Sequence, residues 1–281
     1  MSIMRKLREY LNRPLSFVMF LLIIISTVIT ALTVVFIIGY IFIKGVPNLS
    51  LDLFSLKYSS SNQSMLPSII NTVYLTALTL LLSVPIGIFS AIYLAEYSRK
   101  NSFFVKIINI ANETLSGIPS IVYGLFGFLA FVISKKWGYS LLAGVITLAI
   151  MVLPLIIRTS QEAMLGVDDT FREASYGLGA GKLRTVFKIV LPSAMPGILS
   201  GIILAIGRIV GETAALIYTA GTVPEAATKL TSSSRTISVH LYCLLNEGIY
   251  TEQAYATAVV LIVFVVIINA LSNALAKKIM K

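Results

Sequence analysis

The chain has one cysteine, Cys243, and one histidine, His240, in 281 residues. A single cysteine excludes an internal disulfide framework and any cysteine-built metal cluster. A single histidine leaves almost no material for a histidine-ligated metal or a Ser–His–Asp triad, so no catalytic or metal-ligating residue is expected. Structural parts in an external segment suit both residues better. Charge is scarce too: Asp, Glu, Lys and Arg make up 12% of the chain, against about 25% in soluble domains. Nothing matches Gly-x-x-x-x-Gly-Lys-Ser/Thr, so the phosphate-cradling loop of ATPases is missing and any ATP must be hydrolysed by another chain. No cofactor is expected.

What the sequence has is apolar length. Hydrophobic residues reach 57%, and mean hydropathy is +0.91. Several runs attain the ~20 apolar residues that a helix needs to cross the hydrocarbon core. The fold class is therefore all-α, a polytopic membrane protein with one membrane domain, 17–281, behind a basic tail, 1–16. Six spans are predicted at 17–43, 68–95, 113–133, 140–158, 194–217 and 254–275. Gly117 and Pro119 break the start of the third, and Pro154 interrupts the fourth. The first is too long for the 7–15-residue core of a signal peptide and lacks a small-x-small cleavage site, so it should remain as an anchor.

The charges that exist are unevenly placed. Of 22 basic residues, most lie on one side: Arg5, Lys6, Arg8, Arg13, Arg99, Lys100, Lys106, Arg158, Arg172, Lys182, Arg184, Lys188, Lys277, Lys278 and Lys281. The other side holds Lys44, Lys57, Lys135, Lys136, Lys229 and Arg235. The positive-inside rule then puts both termini and the 159–193 interval in the cytoplasm. The net charge of +10 is a topology signal and calls for no nucleic acid; the lipid bilayer is the expected surrounding.

Two intervals carry more than span signals. In 166–192 (GVDDTFREASYGLGAGKLRTVFKIVLP), Thr170 and Glu173 form a capping box for a helix over 171–176. Gly177, Gly179 and Gly181 end it, and 182–190 restarts with Leu183, Val186, Phe187 and Val190 on one side. Pro192 opens the next element. The result is a hairpin too polar for lipid. The second interval is span 194–217. At ~100° per residue, Gly197, Ser200, Gly201, Ala205, Arg208, Gly211, Glu212 and Ala215 share a face, and Leu199, Ile202, Ile203, Ile206, Ile209, Val210 and Ile217 take the lipid side. Arg208 lies past the midpoint, where a lone arginine costs roughly 2.5–3.5 kcal/mol. Glu212, at i+4, can pair with it. Two readings stand: the pair neutralises itself and fixes packing, or Arg208 offers N–H donors to a passing oxyanion while Glu212 steadies it.

The spacing in 166–192 also resembles the EAA loop of ABC importer permeases: Glu173-Ala174-Ser175, three residues, Gly179, nine residues, Ile189, one residue, Leu191-Pro192. That resemblance implies the type I ABC importer permease fold, with a coupling helix that docks on a cytoplasmic ATP-binding subunit dimer through Glu173, Ala174, Ser175, Gly179, Ile189, Leu191 and Pro192. The plain alternative is an ordinary capped loop. Further on, 207–217 looks like the Arg-x-x-Gly-Glu-Thr-Ala segment of PstA-like phosphate permease subunits, with Ala215 where proline is frequent. Gly117-Ile118-Pro119-Ser120-Ile121-Val122-Tyr123-Gly124 resembles another segment of phosphate permeases. The likeness implies a non-catalytic transport subunit in a bacterial or archaeal plasma membrane, with Arg208, Glu212 and Thr213 on the substrate pathway. It implies a sister permease subunit as heterodimer partner. It also implies an extracytoplasmic phosphate-binding protein that docks on external loop 218–253. Sulfate, molybdate or phosphonate are rival substrates, and a stand-alone carrier is the rival class.

Overall fold

The computed structural model describes residues 14–98 and 103–279. The basic tail with Arg5, Lys6, Arg8 and Arg13, the pair Arg99 and Lys100, and the terminal Lys281 lie outside the described residues. Within them the regular structure is helical. Helix α1 is Pro14–Gly45, and α2, Leu66–Ile92, is prolonged by a π turn over Tyr93–Tyr97. Helix α3 is Phe103–Ser116; α4, Ser120–Gly127, runs into a second π turn, Phe128–Ser134. Helix α5 is Leu141–Leu165 and α6 is Asp169–Gly177. Helix α7, Lys182–Thr185, passes through a π turn, Val186–Val190, into α8, Leu191–Gly211. Three more follow: α9, Ala214–Thr219, α10, Ile237–Glu247, and α11, Thr251–Ile279.

Five stretches are long and apolar enough to span a bilayer: Leu15–Asn48, Leu66–Tyr97, Leu141–Leu165, Lys182–Gly211 and Thr251–Lys278. The sixth is broken near the start of 113–133, where Gly117 and Pro119 are expected to interrupt it. Val105–Ser116 and Ser120–Ser134 meet at 100°, because Pro119 lacks an N–H and sits at ψ 142°, which stops α3 from propagating. Tyr123 pins the elbow by donating its hydroxyl to the Leu115 carbonyl at 2.8 Å. Pro154 behaves in the opposite way. It lies inside an unbroken α5, so the expected interruption of the fourth span does not occur. Pro192 stands in the first turn of α8, where its missing N–H costs nothing, and α8 continues the preceding π turn so that Lys182–Gly211 forms one 30-residue span.

Packing explains which helices form the centre. In lipid, burial from water does not drive helices together, so close approach and polar pairing must. Helices α2, α5 and α8 interlock around Leu75, Leu148, Met151, Val152, Ile156, Ala205 and Ile209. A Cβ on Gly201 would lie 2.0 Å from Thr159 Oγ1, so only glycine admits α5 there. Asn71 on α2 supplies the polar glue: its amide donates to the Glu225 and Arg235 carbonyls at 2.9 and 3.2 Å and accepts from Ala227 N–H at 2.8 Å. No residue from Leu15 to Lys44 on α1 is buried, as expected for a peripheral helix. It touches the bundle through α11, where Gly45 lies against the Tyr255 carbonyl.

The expected two-faced division of α8 holds only in part. Its buried stripe is Ala194, Ile198, Gly201, Ala205, Ile209 and Val210, so two bulky residues assigned to lipid turn inward. Gly197, Ser200, Leu204 and Gly211 are exposed. The stripe mixes large and small residues because α5 offers both hollows and ridges to fill.

Candidate functional site

The hairpin between α5 and α8 gathers most of the residues that the spacing singled out. Its cap lies two residues earlier than expected. Asp168, not Thr170, is the N-cap; its carboxylate accepts from Thr170 N–H at 2.9 Å and from the Thr170 hydroxyl at 2.8 Å. Helix α6 consequently starts at Asp169 and ends at Gly177. The Thr170 N–H, then its hydroxyl, hold the Asp168 carboxyl below its usual range. The cap is thus present at neutral pH and is lost as pH falls through that depressed value.

Gly179 turns the chain with φ +81°, the left-handed geometry that a side chain resists. Ala180 N–H then reaches back to the Ser175 carbonyl at 3.1 Å, and the buried Ser175 and Thr185 hydroxyls bond at 2.8 Å to pin the two arms. A groove of about 650 Å³ opens on this hairpin, lined among others by Ala174, Ser175, Gly179, Arg184, Lys188 and Ile189. Four expected contact residues therefore meet at one surface. Glu173 is exposed outside that lining, and Leu191 and Pro192 lie at the start of α8. The expected apolar stripe splits: Val186 and Val190 are fully buried, while Leu183 is 66% and Phe187 40% exposed. The π turn at Val186–Val190 inserts an extra residue into the turn and so rotates one pair away from the other. Leu178, 90% exposed, stands at the tip; the glycine spacing pointed to the turn but not to this apolar prominence.

The second constellation differs from its expected form more deeply. Helix α8 stops at Gly211; Glu212 is extended at φ −71°, ψ 129°, and Thr213 leads into α9. An i,i+4 pair requires an unbroken helix between its members, and among the described residues Arg208 and Glu212 form no ion pair. The Glu212 carboxylate, 8% exposed, caps α9 instead by accepting from Ala215 N–H at 3.0 Å. Its backbone carbonyl accepts from the Ser238 hydroxyl at 2.7 Å. Thr213 is half-buried beside this break, its hydroxyl within 3.4 Å of the Gly211 carbonyl. Arg208 is half-exposed, with Tyr123 within electrostatic reach. Among the described residues no carboxylate is bound to it. Gly207 and Gly211 flank it with open space where a Cβ would stand. Among the described residues this leaves a half-exposed guanidinium without a carboxylate partner, beside the break that ends α8.

At the bundle end opposite the hairpin, the interval 218–253 is more ordered than a plain connection. Residues Ser234–His240 are buried as α10 begins. Arg235 Cζ sits 4.7 Å over the Tyr58 ring, and His240 meets that ring edge-on at 6.4 Å. Burial first, and the Arg235 charge second, push the His240 imidazole down to about 3. Burial raises the Cys243 thiol. Among the described residues no group of His, Cys, Asp or Glu could hold a metal ion.

Comparison with known proteins places the chain in a family and a fold. Residues 83–281 match the family described as binding-protein-dependent transport system inner membrane component. The probable ABC transporter permease protein YqgI of Bacillus subtilis (strain 168) is 32% identical over 249 residues, covering 82% of this chain and 84% of that protein. The phosphate transport system permease protein PstA of Yersinia pestis is 33% identical over 240 residues, covering 84% and 81%. Among solved structures, a chain of a bacterial ABC transporter that imports alginate superposes with a TM-score of 0.67 at 18% identity, covering 99% of this chain and all of that one. A chain of the MetNI methionine ABC transporter gives 0.58 at 16% identity over 76% of this chain and 94% of its own length. At such identities the last two speak for the fold alone.

Proposed function

Since the chain belongs to the family of binding-protein-dependent transport system inner membrane components, whose members are multi-pass, non-catalytic permease subunits, we propose that it carries inorganic phosphate into the cell with a sister permease subunit. In this reading the hairpin end of the bundle faces the cytoplasm, which agrees with the basic residues Arg158, Arg172, Lys182, Arg184, Lys188, Lys277 and Lys278 gathered there. An ATP-binding subunit dimer seats on the groove around Ser175, Gly179 and Ile189. An extracytoplasmic phosphate-binding protein docks at the opposite end, over 218–253. ATP binding closes the dimer, displaces the hairpin and shifts the two permeases between inward-open and outward-open states.

Arg208 is the observation that supports an oxyanion as cargo. A guanidinium in an apolar span is costly, and here Glu212 does not neutralise it, so its donors are available to a tetrahedral anion passing the break at Glu212–Thr213. The PstA relative, 33% identical, favours phosphate among such anions. The alginate and methionine importers share only the fold, so they do not bear on the cargo. Competition tests the choice: in vesicles holding the full complex, unlabelled phosphate should suppress labelled phosphate uptake while sulfate and molybdate at equal concentration should not. Suppression by sulfate or molybdate alone would assign the chain to that anion.

A further inference from the structure

The two arms of the hairpin are attached to the bundle very differently. The second arm is continuous with α8 and is held by the buried residues Val186, Val190, Ala194 and Ile198. The first arm, α6, joins α5 only through the non-helical residues Gly166, Val167 and Asp168. A load applied at the Leu178 tip reaches α8 through the Ser175–Thr185 bond and the second arm, but it passes from α6 to α2 and α5 only if something spans that joint.

Arg172 spans it. Its Nη2 and Nε bond to Glu96 Oε1 at 2.7 and 3.1 Å, Nη2 also donates to the Met164 carbonyl at 2.8 Å, and Nη1 donates to the Val167 carbonyl at 2.7 Å. Asp169, 3.0 Å from Nη1, completes the set. The two partners' side chains are 13% and 6% exposed, so water screens the pair weakly. One guanidinium thus ties the last π turn of α2, the last turn of α5 with the joint beyond it, and the first arm of the hairpin. Only the planar fork of arginine serves these acceptors together. Lys182 Nζ, 5.0 Å from the Tyr97 ring centre, braces the same π turn against the second arm.

We propose that Arg172, held by Glu96, is a positioning residue that transmits motion of the hairpin to α2 and α5. It contacts neither nucleotide nor cargo. The inference rests on the hairpin being the ATPase dock. Without the clamp the ATPase still binds the tip, but α6 yields at residues 166–168 and the bundle follows incompletely.

The test uses the complete reconstituted importer and reads labelled phosphate transported per ATP hydrolysed. Arg172→Gln and Glu96→Gln should leave the complex intact and lower that ratio about tenfold, while ATP hydrolysis persists. The exchanged pair Arg172→Glu with Glu96→Arg should recover part of the loss, which a purely steric role would not allow. Arg172→Lys, keeping the charge but losing the fork, should fall between. An unchanged ratio in both glutamine variants would overturn the proposal, as would loss of the assembled complex in all three single variants, since that places the pair in assembly. A Leu178→Cys variant on a Cys243→Ser background separates the premise from the clamp. Thiol cross-linking to the ATPase upholds the dock, so that an unchanged ratio then counts against the clamp alone; absence of any cross-link removes the premise and the proposal with it.

Discussion

Arg208 and Glu212 are only four positions apart, yet they do different work. Glu212 is spent on the N–H of Ala215, so its contribution is a helix cap that an amide oxygen can partly replace. We expect Glu212→Gln to retain most transport and Glu212→Ala to lose more. Arg208→Gln should insert and assemble normally but cut uptake roughly 10–100-fold, the scale of one or two hydrogen bonds to a charged group. Equal damage from Arg208→Gln and Glu212→Gln would restore the ion pair that the broken helix denies. His240 poses a separate question at this scale. Its imidazole is held down to about 3 in the folded chain, against about 6.5 when unfolded. The unfolded chain therefore binds the extra proton between these values, and stability is flat above about 6.5 and declines as pH falls toward 3. From pH 7 to 5 the decline amounts to about 2 kcal/mol. Thermal unfolding of the detergent-solubilised protein should show that slope, and His240→Phe should flatten it; an equal slope in the variant would contradict the assignment.

Among the elements, the hairpin was the most legible in the sequence and α8 the least. Gly179 announces its left-handed turn because few other residues tolerate φ +81°. Replacing it with valine costs about 1–2 kcal/mol of backbone strain and puts a side chain into the groove. We expect Gly179→Val to insert normally but to co-purify with far less ATPase; undiminished recovery would count against docking there. The cap was misplaced because Asp168 and Thr170 are both competent, and spacing alone does not say which one faces the open N–H groups. The stop at Gly211 was missed for a related reason. A helical wheel assumes the helix it is meant to test, so it puts Arg208 and Glu212 on one face although the helix stops between them. Asn71 was readable as a polar residue needing partners in lipid, but its acceptors on Glu225 and Arg235 lie more than 150 positions away. Glu96 and Arg172, 76 positions apart, were equally beyond local pattern. Pro119 and Pro154 show the limit from another side: the same residue type bends one span through 100° and leaves another unbroken, according to whether neighbours compensate the missing hydrogen bond.

Taken whole, the molecule has the layout that the proposed role as one half of a gate requires. Helices α2, α5 and α8 form a packed centre, α1 lies outside it, the hairpin projects at one end, and the ordered segment around Arg235 and His240 closes the other. The apolar residues Leu178, Leu183 and Phe171 stay exposed at the hairpin, which suits a surface completed by another protein. Arg208 and the break after Gly211 stand between the two ends. In the proposed cycle, force from a separate ATPase enters at the hairpin and moves an anion past that arginine. The most direct measurement is labelled phosphate uptake by vesicles containing this chain and its sister permease, with the phosphate-binding protein on the outer side. Uptake should require both ATP and the ATPase subunit and should stop when either is omitted. Uptake of equal rate without the ATPase would contradict the account.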